Sequence, residues 1–200
     1  MSKSSSPMIA TEATLVSLPE FKLDDPQSII DFRGQVTLQT QGGPAIFEES
    51  APLSALALGL ATVYEVATEL SLRLVDGRLA LIFSHETRET TRLEETDETI
   101  WLEINKLRKK MPKIFDVLLP ISEKVIDLSN LWEQTTGDDV VVRTKIFLKN
   151  LVPVLTPATT IRLQGKIPAL PLLAAAYLSR PIGYRVEYQE NNGVNLVLFF

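Results

Sequence analysis

A single histidine and no cysteine occur in the 200 residues of this chain, so its side chains leave little room for nucleophilic or metal chemistry. The lack of cysteine removes disulfides, thiolate metal sites and iron–sulfur clusters together, and it fits a reducing compartment. His85 follows an apolar, strand-like run and precedes a polar one. It can supply one member of a catalytic dyad, but a metal site needs partners that the sequence does not place beside it. Carboxylates are plentiful, yet none falls into a D-x-D, H-E-x-x-H or G-x-S-x-G pattern; Glu94-Glu95 and Asp138-Asp139 read as a solvated face and a turn. The sequence assigns no catalytic residue, cofactor or metal, and it leans away from an enzyme.

The basic residues offer more. Lys106, Arg108, Lys109, Lys110 and Lys113 crowd one stretch, where they can meet phosphate groups by counterion release or simply solubilise the polar side of a helix. No aromatic residue interleaves with them in sequence, as base stacking would require. Gly165-Lys166 sits between a strand and a helix start, with Arg162 just upstream. Free amides, the helix dipole and two cations can converge on an anion there. Pro168 and Pro171 each delete an amide from that cradle, which makes a tight turn the competing explanation. The expected ligand-binding set is Arg162, Gly165, Lys166, Lys106, Lys109, Lys110 and Lys113.

The elements that carry these residues come in duplicate. Residues 51–64 and 167–179 contain no charge. Each has helical length and is apolar on every side, so it needs cover on more faces than one sheet supplies. Neither reaches the roughly 20 residues of a membrane span. A hairpin pattern follows each: residues 69–75 and 78–83 about Asp76-Gly77, and residues 184–188 and 194–200 about Asn191-Asn192-Gly193. Residues 35–40 and 159–164 alternate apolar with polar and read as the strands ahead of the two helices.

Between the copies, residues 86–98 read as a solvated spacer. Ile100, Ile104, Leu107, Met111, Ile114, Phe115 and Leu118 trace one helical stripe, continued by Val125, Leu128 and Trp132 and broken at Pro112 and Pro120. Residues 140–148, dense in β-branched side chains, read as a further strand.

Hydrophobic residues make up 45% of the chain and charged ones 22%, which describes a folded globular protein. The net charge of −5 hides an asymmetry: residues 1–100 hold 7 Lys+Arg against 16 Asp+Glu, and residues 101–200 hold 13 against 9. Opposite signs can steer the halves together, pair subunits, or leave a basic face for an anionic partner.

The segment Ile161-Arg162-Leu163-Gln164-Gly165-Lys166-Ile167-Pro168-Ala169-Leu170, followed by Ala174-Ala175-Ala176-Tyr177-Leu178 and a hairpin, resembles the G-x-x-P strand-to-helix segment of the small CRISPR-associated ring nucleases that bind cyclic oligoadenylate. The match covers about 40 residues. That family's active site resembles a histidine with acidic residues near the helix end and the next strand. Residues 178–190 contain no histidine, and His85 does not occupy the matching position. The resemblance therefore implies a non-catalytic relative that binds a nucleotide or a partner.

The expectation is an α+β protein of two related strand–helix–hairpin units forming mixed sheets with a central helical insert. The boundaries are a disordered tail at 1–14, a first unit at 15–95, the insert at 96–136 and a second unit at 137–200. The expected setting is the cytoplasm, with an anionic nucleotide or RNA ligand, self-association or a protein partner, and no membrane. An oligomeric scaffold that assembles through the apolar helices without a small ligand is the alternative.

Overall fold

The computed structural model of the protein describes residues 12–85, 99–111, 121–189 and 193–200. The first half runs β1 (Thr14–Leu15), α1 (Pro26–Thr40), β2 (Ala45–Glu48), α2 (Leu53–Val63), β3 (Glu69–Arg73) and β4 (Leu79–Ser84), then α3 (Thr99–Arg108). The second half runs β5 (Ile121–Asp127), α4 (Leu128–Glu133), α5 (Val140–Leu151), β6 (Ala158–Gln164), α6 (Ala169–Ser179), β7 (Gly183–Gln189) and β8 (Asn195–Phe199). This is an α+β fold of two similar units. Each holds a four-stranded mixed sheet, in the order β1-β2-β3-β4 or β5-β6-β7-β8. In both, three parallel strands joined by helices end in an antiparallel hairpin.

From β2 onward the units correspond at a constant separation of 116 residues. Pro52 and Pro168 occupy the N-cap positions of α2 and α6. Leu70 pairs with Phe83 as Val186 pairs with Phe199, and a β-bulge follows at Leu70/Ser71 and at Val186/Glu187. Gly77 and Gly193 turn the hairpins at φ of 87° and 82°, a region that favours glycine. Between residues 45–84 and 161–200 only Pro52/Pro168, Leu56/Leu172, Gly77/Gly193 and Phe83/Phe199 are identical. A helix start, a buried leucine, a turn and a core aromatic are what the shared backbone retains.

The uncharged helices lie at the centre. Every residue from Ser54 to Val63 and from Ala169 to Ser179 is buried. The helix α2 packs on α6 and on β8, while α6 packs on α2 and on β4, the reciprocal contacts that an internal two-fold relation produces. Outside them, α1 packs on α2 as α5 packs on α6. The core is one continuous cluster drawing on both units, and each fully buried leucine in it is worth about 1.5–3 kcal/mol. Both α1 and α5 begin at an aspartate cap: Asp25 accepts from the Gln27 amide, and Asp139 from those of Val141 and Val142.

Three expected elements take another form. Residues 35–40 belong to α1, not a strand. Phe32, Val36 and Thr40 recur at helical spacing and are buried, whereas Leu38, which completes the apparent alternation, is 75% exposed. The strand before α2 is the short β2, three of whose four residues are buried. Residues 140–148 lie in α5, where Val141, Thr144, Phe147, Leu148 and Leu151 form the buried stripe. The Asp139 cap and this period override the β preference of the valine run. Finally, Val125 belongs to β5, whose pairing to β6 extends from Ile121↔Ala158 to Asp127↔Gln164. The expected insert at 96–136 thus carries a helix, the first strand of the second sheet and α4. Thr14, placed in the tail above, pairs with Ala45. The remaining tail at 1–11, the spacer at 86–98, Pro112, Lys113, Ile114, Phe115, Leu118, Pro120 and Asn191-Asn192 lie outside the described residues. Among the described residues no helix is long and apolar enough to cross a membrane.

Candidate functional site

The expected anion cradle between β6 and α6 is filled by the protein itself. Gly165 stands at φ +104°, and a Cβ there would lie 2.4 Å from Ser129 Oγ and 2.9 Å from the Ser129 backbone nitrogen. Asp127 caps α4 by accepting from the Asn130 amide. That first turn presses into the loop, and Ser129 Oγ donates to the Lys166 carbonyl at 3.3 Å. Gly165 is thus explained by close approach of backbone to backbone. The Lys166 side chain is exposed.

Arg162 is also committed. It lies on the sheet face opposite the core, with Nη1 at 2.6 Å from Glu123 Oε1 and Nε at 3.2 Å from Glu187 Oε2; Arg185 Nε holds the other Glu187 oxygen at 2.7 Å. Two arginines balance two carboxylates, so this face offers an incoming anion no net positive charge.

The lysines fare differently. Lys106, Lys109 and Lys110 are exposed around the end of α3, where cations interact favourably with the helix dipole. Between them Arg108 turns inward. Its Nη1 donates to the Tyr177 hydroxyl at 2.5 Å, and its guanidinium lies 4.9 Å from the Tyr177 ring centroid. The aromatic neighbour missing from the local sequence is supplied by α6. Burial pushes the Tyr177 hydroxyl above its ordinary value, with Arg108 drawing it partly back.

Tyr177 leads to a cluster at the seam between the units. Its ring stacks on Phe83 at 5.5 Å and lies 5.8 Å from Tyr64, which in turn meets Phe83, His85 and Phe199 at 5.4, 5.0 and 5.7 Å. His85 Nε2 lies 2.9 Å from the Tyr64 carbonyl oxygen. Arg180 places its guanidinium 4.0 Å from the Tyr64 centroid and 5.6 Å from that of Phe199, and its Nη2 donates to Glu65 Oε1 at 2.9 Å. Its buried Nε finds no acceptor among the described residues. Tyr64 and Arg180 are the C-caps of α2 and α6. Equivalent positions of the two units therefore face each other across the seam.

Of the expected site residues, the structure brings Lys106, Lys109 and Lys110 around Arg108 and thus beside this cluster. It leaves Arg162, Gly165 and Lys166 in local roles. The residues that sequence reasoning missed are Tyr64, Tyr177 and Arg180. Their signal was slight: a tyrosine in the last turn or at the cap of each uncharged helix, and an arginine directly after the second. Among the described residues no group of histidines and carboxylates is placed to hold a metal ion. No family model, curated protein or solved structure matches the chain, so the site is read from its own chemistry. That chemistry comprises two guanidiniums on aromatic faces, an exposed imidazole, three flanking lysines and one nearby carboxylate.

Proposed function

We propose that the protein is a non-catalytic binding module, acting in the cytoplasm, whose ligand is an anionic nucleotide or oligonucleotide held at the seam beside α3. The observation that carries this reading is the joining of cations to aromatic rings across the fold. Arg108 with Tyr177, and Arg180 with Tyr64, stand next to Lys106, Lys109 and Lys110. Phosphates take the cations, and bases stack on guanidinium planes and on an open ring such as that of His85. The CRISPR association belongs to this proposal as what the resemblance of residues 161–178 implies.

The alternative is an oligomeric scaffold assembling through the apolar helices; the burial of α2 and α6 against each other and against β8 and β4 within one chain favours the nucleotide reading over it. An interaction role would have to use other residues, such as Ile30 and Leu38 on α1, which are exposed.

The test is fluorescence anisotropy with a labelled oligoadenylate RNA across a salt series. With about four phosphate contacts, a fourfold rise in salt should weaken binding roughly fifty-fold. Joint Lys109→Glu and Lys110→Glu substitution should cost about tenfold or more at low salt. Absence of binding, or binding indifferent to salt, overturns the reading.

A further inference from the structure

Resting on that nucleotide reading, we infer that the seam is built for a ligand without two-fold symmetry, one carrying a terminal phosphate at one end and a base at the other. A two-fold interface between identical subunits presents the same group to both halves of a symmetric ligand. Here the backbones are related in that way while the side chains at the seam are not. The C-cap position holds Tyr64 in the first unit and Arg180 in the second. One turn earlier, Ala61 corresponds to Tyr177. Only Phe83 and Phe199 repeat, and both are buried.

The additions are one-sided as well. Arg108 reaches Tyr177, and Tyr177 corresponds to Ala61, which has neither ring nor hydroxyl to receive a guanidinium. His85 lies against Tyr64 and Phe83. The cationic edge, formed by Arg108 with Lys106, Lys109 and Lys110, comes from α3, and no second such helix is found among the described residues. A symmetric ligand would find Arg108 and three lysines at one end and, at the other, Arg180 paired with Glu65 beside the rings of Tyr64 and His85. An unsymmetrical one matches both.

The experiment compares two probes of nearly the same composition. They are the linear dinucleotide of adenosine with a terminal phosphate and the cyclic dinucleotide of adenosine, measured by isothermal titration calorimetry on the full chain at one salt concentration. The linear probe should bind about tenfold tighter or better. Arg180→Gln should weaken the linear probe more than the cyclic one and shrink the ratio. Arg180→Lys, which keeps the charge but not the guanidinium plane, should fall between. Thermal unfolding of each variant confirms that it folds. Equal binding, or preference for the cyclic probe, overturns the asymmetry and leaves the nucleotide reading standing. Failure of both probes to bind at about millimolar concentration overturns the two together.

Discussion

In the first sheet the cross-strand row Ile46↔Ser71↔Leu81 occupies the register held in the second sheet by Arg162↔Glu187↔Val197. The neighbouring rows, Phe47↔Leu72↔Ala80 and Leu163↔Tyr188↔Leu196, face the shared core and are apolar in both units. Side chains on the core-facing rows are constrained by packing, because both sheets close on the same pair of helices. The opposite rows are free to differ, and they have done so completely: one is neutral, the other an ion network around a carboxylate that is 4% exposed. The two units thus share a backbone and an inner packing while differing in their outer rows and at the seam.

The largest effects should come where the units agree. Leu56 and Leu172 are equivalent and fully buried. Leu56→Ala and Leu172→Ala should each cost about 2–5 kcal/mol, with similar values. Urea unfolding should show a single transition in both, since the core is continuous. Two separated transitions would break the comparison by showing that each half holds its own core. Next in size is Gly165→Ala. It combines a left-handed backbone with contact on the Ser129 backbone and should cost about 2–4 kcal/mol. The equivalent residue in the first unit is Glu49, whose carboxylate accepts from the Val75 amide. Glu49→Ala should cost about 1 kcal/mol or less. The difference reports the left-handed backbone and the α4 contact together, neither of which Glu49 has.

The inner architecture was legible because its signal is compositional. An uncharged helix followed by a D-G or N-G hairpin says where the core lies without any knowledge of partners. What misled was local alternation over six to nine residues, in 35–40 and 140–148, where a strand pattern and one face of a helix coincide. The capping aspartates, Asp25 and Asp139, were the signals that decide between them. The seam was nearly invisible. Arg108 and Tyr177 are 69 residues apart and Tyr64 and Arg180 lie in different units, so no window of sequence contains the site. Lys106, Lys109 and Lys110 could be found as charges, but not as neighbours of rings.

A smaller expected effect concerns the outer rows. Glu187→Ala leaves Arg162 and Arg185 facing each other without their shared acceptor. Because both arginines remain partly exposed, the cost should be about 1–3 kcal/mol. Ser71→Ala at the equivalent place should stay within about 0.5 kcal/mol. If the two substitutions cost the same, the ion network contributes nothing beyond what the lone Ser71 hydroxyl does.

The smallest effect tests an ion pair between the first hairpin and the second unit. Arg78, beside the β3–β4 turn, holds Asp76 at 2.7 Å and Asp139 at 2.8 Å. The Val142 amide is the largest cause holding the Asp139 carboxyl below its ordinary 3.8, with Arg78 and the Val141 amide adding to it. A carboxyl lowered in the folded state binds fewer protons there than in the unfolded chain around pH 3.8. Its stabilisation is therefore complete above that pH and is lost as pH falls through the lower, folded value. Asp139 is more than a third exposed, so solvent screens much of the effect. Asp139→Asn should lower the melting temperature slightly at pH 7 and flatten its decline as the pH falls below 3.8. The capping hydrogen bonds survive in part, because asparagine is also a good N-cap. Arg78→Gln should reproduce only the share of that flattening owed to the ion pair. An acid profile unchanged in Asp139→Asn would mean that the Asp139 carboxylate, cap and ion pair together, adds no stability over a neutral amide.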